Sequence, residues 1–177
     1  MKRTVTIDHE LIEPITKIVA YNGDANDYER VLALWHQAKS PEDAECTLMA
    51  LALFQEPALQ ERTLKLSLSN KIRRQDGPQL IAKMMETRSG RGPAWHFFHK
   101  HILRIAWRFS DHLLFNVVMA MNNLGTDQQL EEVQNFFKKH PVPSQSRGIN
   151  KVIEAIEVRV AFRQKNERPI SASAASE

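Results

Sequence analysis

The stretch AECTLMALALF, residues 44–54, carries apolar side chains almost all the way round a helix. A helix without a polar face is stable in water only when other elements cover it on every side. Its most apolar part, Cys46 to Phe54, is far shorter than the roughly 20 residues that cross a bilayer. A second stretch of this kind runs from Leu113 to Leu124. The sequence therefore predicts two buried helices inside a larger helical assembly.

Helices with a single apolar face surround these two stretches. Their apolar residues recur at spacings of three and four, as in an α-helix, and no segment shows the alternation of a strand. The stripes are Tyr28, Val31, Leu32 and Trp35; Leu80, Ile81, Met84 and Met85; Trp95, Phe98, Ile102, Ile105 and Phe109; Leu130, Val133 and Phe137; and Ile149, Ile153, Ile156 and Val160. This pattern predicts an all-α protein.

Capping residues and turns mark the helix boundaries. Hydroxyl and carboxylate side chains satisfy free N–H groups at helix starts, and proline fits the first turn. The markers are the starts Ser40-Pro41 and Glu56-Pro57, the capping boxes Asp76 with Gln79 and Thr126 with Gln129, and the turns YNGD (21–24) and NNLGTD (122–127). They predict about nine helices joined by short loops.

One-sided and fully apolar helices alternate along the chain, which favours antiparallel pairs stacked into an α-α superhelix, a HEAT/ARM-like solenoid. No residue pattern recurs at a fixed period, so a compact bundle is the alternative. We expect one helical-repeat domain over residues 1–168. The small polar residues of 169–177 predict a disordered tail.

Composition narrows the functional classes. The net charge of +3 and the pI of about 9.1 are mild for a nucleic-acid-binding protein, so we do not expect nucleic acid as a partner. No apolar segment is long enough to predict a membrane partner. The chain has one cysteine and no secretory leader at its start. Both features predict a cytoplasmic protein.

The sequence HELIEP, residues 9–14, comes close to the His-Glu-x-x-His signature of zinc peptidases. That signature needs imidazoles at i and i+4, and here Glu13 takes the fifth place. Pro14 also disfavours a helix through this stretch, so we expect Pro14 at the first helical position. We predict no metal site and no cofactor in this chain.

Two stretches resemble one known family. The first, IRRQDGPQLIAKMMETRSGRGPAWHFFHKH (72–101), has a Gln-Asp, a Gly-Arg and an Ala-Trp-x-Phe. The second, LEEVQNFFKKHPVPSQSRGINKVIEAI (130–156), has Glu-Val-x-x-Phe-Phe, His-Pro-x-Pro and Arg147. They are similar to the C-terminal HEAT-like domain of the puromycin-sensitive and endoplasmic-reticulum zinc aminopeptidases. Ile102 departs from the pattern, because family members often carry a second Trp there.

The resemblance implies a non-catalytic domain that closes over an active site and lines a peptide chamber. Zinc and the Gly-x-Met-Glu-Asn motif would belong to the catalytic domain of the parent peptidase. The implied partners of this chain are that catalytic domain and peptide substrates. The alternative is a stand-alone helical-repeat scaffold. In either case we expect no catalysis by the isolated chain.

Arginines are the candidates for holding a peptide carboxylate, because a guanidinium can donate two parallel hydrogen bonds to it. The candidates are Arg91, Arg88, Arg104, Arg108 and Arg147. The alternative is that they are solvated or pair with carboxylates such as Glu86 or Asp111. His96, His99 and His101 lack a further ligand on their face and are interpreted as packing or rim residues. Cys46 is interpreted as a small buried apolar residue.

Overall fold

The computed structural model of the protein describes the backbone of residues 9–173 and the side chains of residues 11–166. Over this range it is all-helical, as predicted. The helices are α1 (His9–Asn22), α2 (Ala25–Gln37), α3 (Pro41–Ala50), α4 (Pro57–Ser67), α5 (Asp76–Glu86), α6 (Arg91–Arg108), α7 (Asp111–Ala120), α8 (Asp127–Lys139) and α9 (Ser146–Ser173). Short 3-10 turns at Leu51–Leu53, Met121–Asn123 and Pro143–Gln145 precede α4, α8 and α9.

The helices lie in two rows. Helices α1, α3, α5, α7 and α9 pack successively on one another and form the inner row, while α2, α4, α6 and α8 form the outer row. Neighbouring helices contact each other more extensively in the inner row than in the outer row. Because helices lie closer together on the concave side of a curved stack, we infer that the inner row is the concave side. The predicted α-α superhelix is confirmed.

The two fully apolar stretches lie in the middle of the inner row, as predicted. Leu48, Leu51 and Phe54 are completely buried, and so are Val117 and Leu124. Each stretch is a ten-residue helix that continues into a 3-10 turn, and three residues, the first of them extended, then lead to the next outer helix. The two segments are thus a structural repeat without a shared residue pattern.

The predicted helix starts are correct except at Asp76 and at Pro14. Ser40 Oγ accepts a hydrogen bond from the Asp43 N–H at 3.0 Å, and Thr126 with Gln129 forms the expected capping box. Asp76 is instead the first residue of α5, and its carboxylate accepts a hydrogen bond from Arg73 Nε at 2.9 Å. The chain enters α5 through Gln75 in a helical conformation, so the extended N-cap that a capping box needs is absent.

The expectation for Pro14 is wrong, because α1 runs from His9 through Pro14 without a break. Proline cannot make the usual N–H hydrogen bond to the Glu10 carbonyl, and its ring crowds that carbonyl, so the helix needs other support here. The Thr16 hydroxyl donates to the carbonyls of Ile12 at 2.7 Å and Glu13 at 3.0 Å, and α1 packs along α3. Tertiary packing therefore outweighs the local preference.

Two helices depart from simple expectations. Helix α6 leaves helical geometry at His101, with φ of −111° and ψ of 16°. Helix α9 continues to Ser173, so it includes the first part of the predicted tail. Residues 174–177 lie outside the described part, and both the disordered tail and the single domain over 1–168 stay predictions.

Candidate functional site

A groove lies on the concave surface between α5 and α7, with a volume of about 500 Å³. Its apolar lining comes from Met49, Ala82, Phe115, Met119 and Ala120. Its polar lining comes from Gln79, Asn116, Asn122 and Asn123, together with Lys83 and Glu86. The last two form an ion pair of 2.7 Å, so the groove is close to neutral. We refer to it as the concave groove.

Carboxamide side chains dominate the polar part of the concave groove. Each carboxamide can donate and accept hydrogen bonds, as a peptide unit does. Gln79 and Asn116 make no hydrogen bond to any described residue, and Asn122 Oδ1 is buried without a described partner. Asn123 differs, because its Nδ2 donates to the Ala120 carbonyl at 3.0 Å. The groove therefore offers Gln79 and Asn116 to an extended polar chain.

Three arginines lie near the 3-10 turn before α8, whose residues Asn122 and Asn123 line one end of the concave groove. Arg91 donates from Nε to the Thr87 carbonyl at 3.2 Å and from a terminal nitrogen to the Asn123 carbonyl at 2.8 Å. Arg159 of α9 donates to the carbonyls of Asn122 and Leu124. Burial, followed by the charges of Arg159 and Arg88, lowers the pKa of Arg91. We refer to Arg88, Arg91 and Arg159 as the arginine cluster.

Arg88 is the most available member of the arginine cluster. Arg91 and Arg159 bind carbonyl groups that the last turns of helices leave without backbone partners. Arg88 is exposed, and none of the described residues accepts a hydrogen bond from it. Arg88 is therefore the member of the arginine cluster whose guanidinium is available to an anion.

Arg104 and Arg108 lie at the opposite edge of the stack and bind the end of α4. Arg104 donates to the Leu68 carbonyl at 3.3 Å. Arg108 donates to the Ser69 carbonyl at 2.6 Å and to Asn70 Oδ1 at 2.8 Å, while its buried Nε lacks a described partner. Arg91 and Arg108 begin and end α6, which places them about 25 Å apart.

The five arginine candidates therefore do not form one site. Arg147 is exposed near the start of α9, on the same edge as Arg108. Sequence reasoning did not single out Arg159, Gln79 or Asn116. Helical periodicity separates buried from exposed positions, but it does not tell which exposed face is concave, so no sequence signal marked these residues.

Two of the three histidines of α6 pack on aromatic rings, whereas His96 is exposed. His99 lies 5.9 Å from the Trp95 ring and 5.0 Å from the Phe136 ring, and His101 lies 4.5 Å from the Phe97 ring. Among the side chains described, no three His, Cys, Asp or Glu residues are placed to hold a metal ion. Residues in this range thus supply no zinc site, and the side chain of His9 lies outside it.

Cys46 is half-buried rather than fully buried, and its thiol donates to the Asp43 carbonyl at 3.4 Å. Burial, followed by the negative charges of Asp43 and Glu13, raises the pKa of the thiol. The thiolate is the reactive form, so a raised pKa lowers its fraction at any pH below the pKa. We expect iodoacetamide at pH 8 to alkylate Cys46 more slowly in the folded protein than in urea. An equal or faster rate in the folded protein, measured by mass spectrometry, would contradict this.

Within the described range, none of the helices combines the length and apolar character of a membrane span. The family model of the ERAP1-like C-terminal domain matches residues 1–158. The chain belongs to this family. The ERAP1-like domain is thus a C-terminal domain of an aminopeptidase family, which confirms the resemblance seen in the sequence.

One curated relative is human endoplasmic reticulum aminopeptidase 1, which is 30% identical over 101 residues. The match covers 55% of this chain and 11% of the relative, so the chain spans only a small part of that enzyme. The name of the relative places that protein in the endoplasmic reticulum, whereas the sequence of the present chain predicts a cytoplasmic protein. The cytoplasmic location and the absence of a cofactor stay predictions.

Proposed function

We propose that this ERAP1-like domain is the non-catalytic C-terminal part of a zinc aminopeptidase, and that its concave surface faces the catalytic domain and contacts the peptide. The observation that carries the proposal is the concave groove, in which unpaired carboxamides lead towards the arginine cluster. Zinc and bond cleavage are assigned to the catalytic domain.

The concave groove suits an extended peptide for two reasons. Gln79 of α5 and Asn116 of α7 stand on facing helices, and each can bond both the N–H and the C=O of a peptide unit. The apolar side chains of Phe115 and Met119 line the same space and can contact peptide side chains. Burial of this apolar area then adds to the favourable free energy of binding that the hydrogen bonds supply.

The arginine cluster suits the end of a peptide. A carboxylate prefers a guanidinium, because charge-assisted hydrogen bonds are about twice as strong as neutral ones. Arg91 and Arg159 are held by carbonyl groups, and the nearby positive charge that lowers the pKa of Arg91 indicates a field that attracts an anion. We assign the direct contact to Arg88. Arg91, Arg104, Arg108 and Arg147 receive no direct role.

The proposal predicts weak but saturable binding of a fluorescein-labelled nonapeptide to the full chain, measured by fluorescence anisotropy. Asn116→Ala should weaken binding about two- to tenfold, which corresponds to one lost hydrogen bond. Arg88→Ala should remove the preference for a free C-terminal carboxylate over a C-terminal amide. Without a catalytic domain, the chain should not hydrolyse an amino-acid amide.

Two matched variants control for nonspecific effects. Asn135 is exposed on α8 in the outer row, and Arg147 is exposed at the opposite edge from Arg88. Asn135→Ala and Arg147→Ala should leave unchanged the affinities for the peptide with a free C-terminal carboxylate and for the peptide with a C-terminal amide. Equal losses in the control and test variants, or no peptide binding at all, would refute the peptide role and favour the stand-alone scaffold. Turnover of the amide by the pure chain would refute the non-catalytic role.

A further inference from the structure

A second groove lies on the convex surface, where the outer-row helices α4 and α6 are separated by a volume of about 580 Å³. Its floor is apolar, with Leu64 and Leu68 buried and Phe97 partly exposed. The volume lies in the range of pockets that bind small ligands, about 300–1,000 Å³. We refer to this space as the α4–α6 groove. It is on the opposite face from the concave groove.

Positive charge borders the α4–α6 groove. Lys65, Lys100 and Arg104 line it, and Glu61 is the one acidic residue in the described lining. Three cations against one carboxylate leave a surplus of two positive charges. Glu61 is already paired with Lys65 at 2.6 Å, and the bond and charge of Lys65 lower the pKa of Glu61. The hydrogen bond of Glu61 is therefore to one side of the groove only, although the charge of Lys100 on the opposite wall also lowers its pKa, more weakly.

The opposite wall of the α4–α6 groove has no acidic residue to neutralise it. Helix α6 contains 18 residues, none of them Asp or Glu. Lys100 and Arg104 are four residues apart on one face, where two like charges destabilise a helix. Arg104 donates to the Leu68 carbonyl at 3.3 Å, and Lys100 is exposed. A bound anion would relieve this repulsion.

His101 lies in the same wall, where α6 departs from helical geometry. Its pKa is lowered, first by burial and then by the charges of Lys100, Arg104 and His96. Four basic groups are therefore crowded along one wall. Outer helices on either side carry exposed carboxylates, Glu29 on α2, which is paired with Arg62 of α4, and Glu131 on α8, so negative charges interrupt the positive surface on both sides of this groove.

We propose that the α4–α6 groove is a docking site for an acidic segment of a partner protein. An apolar side chain of that segment lies between Leu64, Leu68 and Phe97, and its carboxylates lie against Lys65, Lys100 and Arg104. A protein segment fits better than nucleic acid. A nucleic-acid backbone requires a continuous track of cations, whereas the acidic residues of α2 and α8 interrupt the positive surface.

The test uses the full chain and a fluorescein-labelled octapeptide that repeats Glu-Asp-Leu-Phe and ends in an amide. A second octapeptide repeats Gln-Asn-Leu-Phe. At about 0.15 M salt, we expect saturable anisotropy with the acidic peptide and at least tenfold weaker binding of the neutral one. Lys100→Glu combined with Arg104→Glu should weaken binding of the acidic peptide at least tenfold.

The control variant is Lys138→Glu combined with Lys139→Glu, which reverses two exposed charges at the end of α8 and should not change the affinity. Should the double charge reversal in α6 unfold the chain, Lys100→Gln provides the readout, because its exposed side chain makes no described hydrogen bond. Absence of binding, equal binding of both peptides, or equal loss in the control would overturn the proposal. So would binding of single-stranded DNA in preference to the acidic peptide.

Discussion

Replacing Phe136 by alanine should lower the free energy of unfolding by about 3–5 kcal/mol, the usual range for truncating a buried aromatic residue. Phe136 is 2% exposed and joins α8 to α6. Its ring centroid lies 5.6 Å from that of Trp95, 5.8 Å from Phe98, 5.0 Å from His99, 5.1 Å from Phe137 and 4.9 Å from His140. Alanine would leave a cavity that all five neighbours border.

Urea unfolding followed by circular dichroism measures this loss. The matched control is Trp107→Ala, because Trp107 is a larger aromatic residue on α6 that is 84% exposed. Its removal should change the free energy of unfolding by no more than about 0.5 kcal/mol. A loss below about 1 kcal/mol for Phe136→Ala, or equal losses for the two variants, would show that the aromatic cluster does not hold the outer row together.

Gly77→Ala should destabilise the protein by about 2–3 kcal/mol, the upper part of the range for overpacking. A Cβ at this position would lie 2.4 Å from the Ser67 carbonyl oxygen and 2.7 Å from Phe109 Cζ. The first of these atoms belongs to the backbone at the end of α4, so it cannot move without shifting that helix. Glycine is therefore required at this position because α5 packs too closely against its neighbours to leave room for a Cβ.

Gly92→Ala is the control for Gly77→Ala. Gly92 is the second residue of α6, and no atom lies within 4 Å of an added Cβ. Alanine there should leave stability unchanged or raise it by up to about 1 kcal/mol, since glycine loses more backbone entropy on folding. Thermal unfolding of both variants and of the parent protein measures whether each substitution raises or lowers the stability. A destabilised Gly92→Ala together with an unaffected Gly77→Ala would contradict the packing argument.

Much of the fold could be predicted because its signals are local. The stripe through Leu80, Ile81, Met84 and Met85 follows the helical period, and all four side chains are buried. Ser40 and Thr126 mark helix starts because a hydroxyl bonds N–H groups two or three residues away.

Pro14 and Asp76 show the limit of local rules. Packing of α1 on α3 stabilises a helix that proline alone would disfavour. The helical turn that leads into α5 gives Asp76 an arginine partner in place of a cap. In both cases a residue close in sequence suggested one structure, and the surrounding chain determined another.

The candidate site was harder to predict than the fold. Arg91 is a candidate because a guanidinium can hold a carboxylate through two hydrogen bonds, but it binds the carbonyls of Thr87 and Asn123 instead. Asn123 is 32 residues away in sequence, and the two come together because α5 packs against both α6 and the 3-10 turn that follows α7. Asn116 was not selected at all, because its placement in the concave groove depends on which row of helices is the inner one.

The unequal spacing of the two rows has a mechanical consequence. Inner-row helices already touch through well-packed side chains, and packed protein interiors have low compressibility. Outer-row helices pack less tightly on one another than inner-row helices do, as α4 and α6 show. The stack should therefore resist forces that increase its curvature more strongly than forces that straighten it.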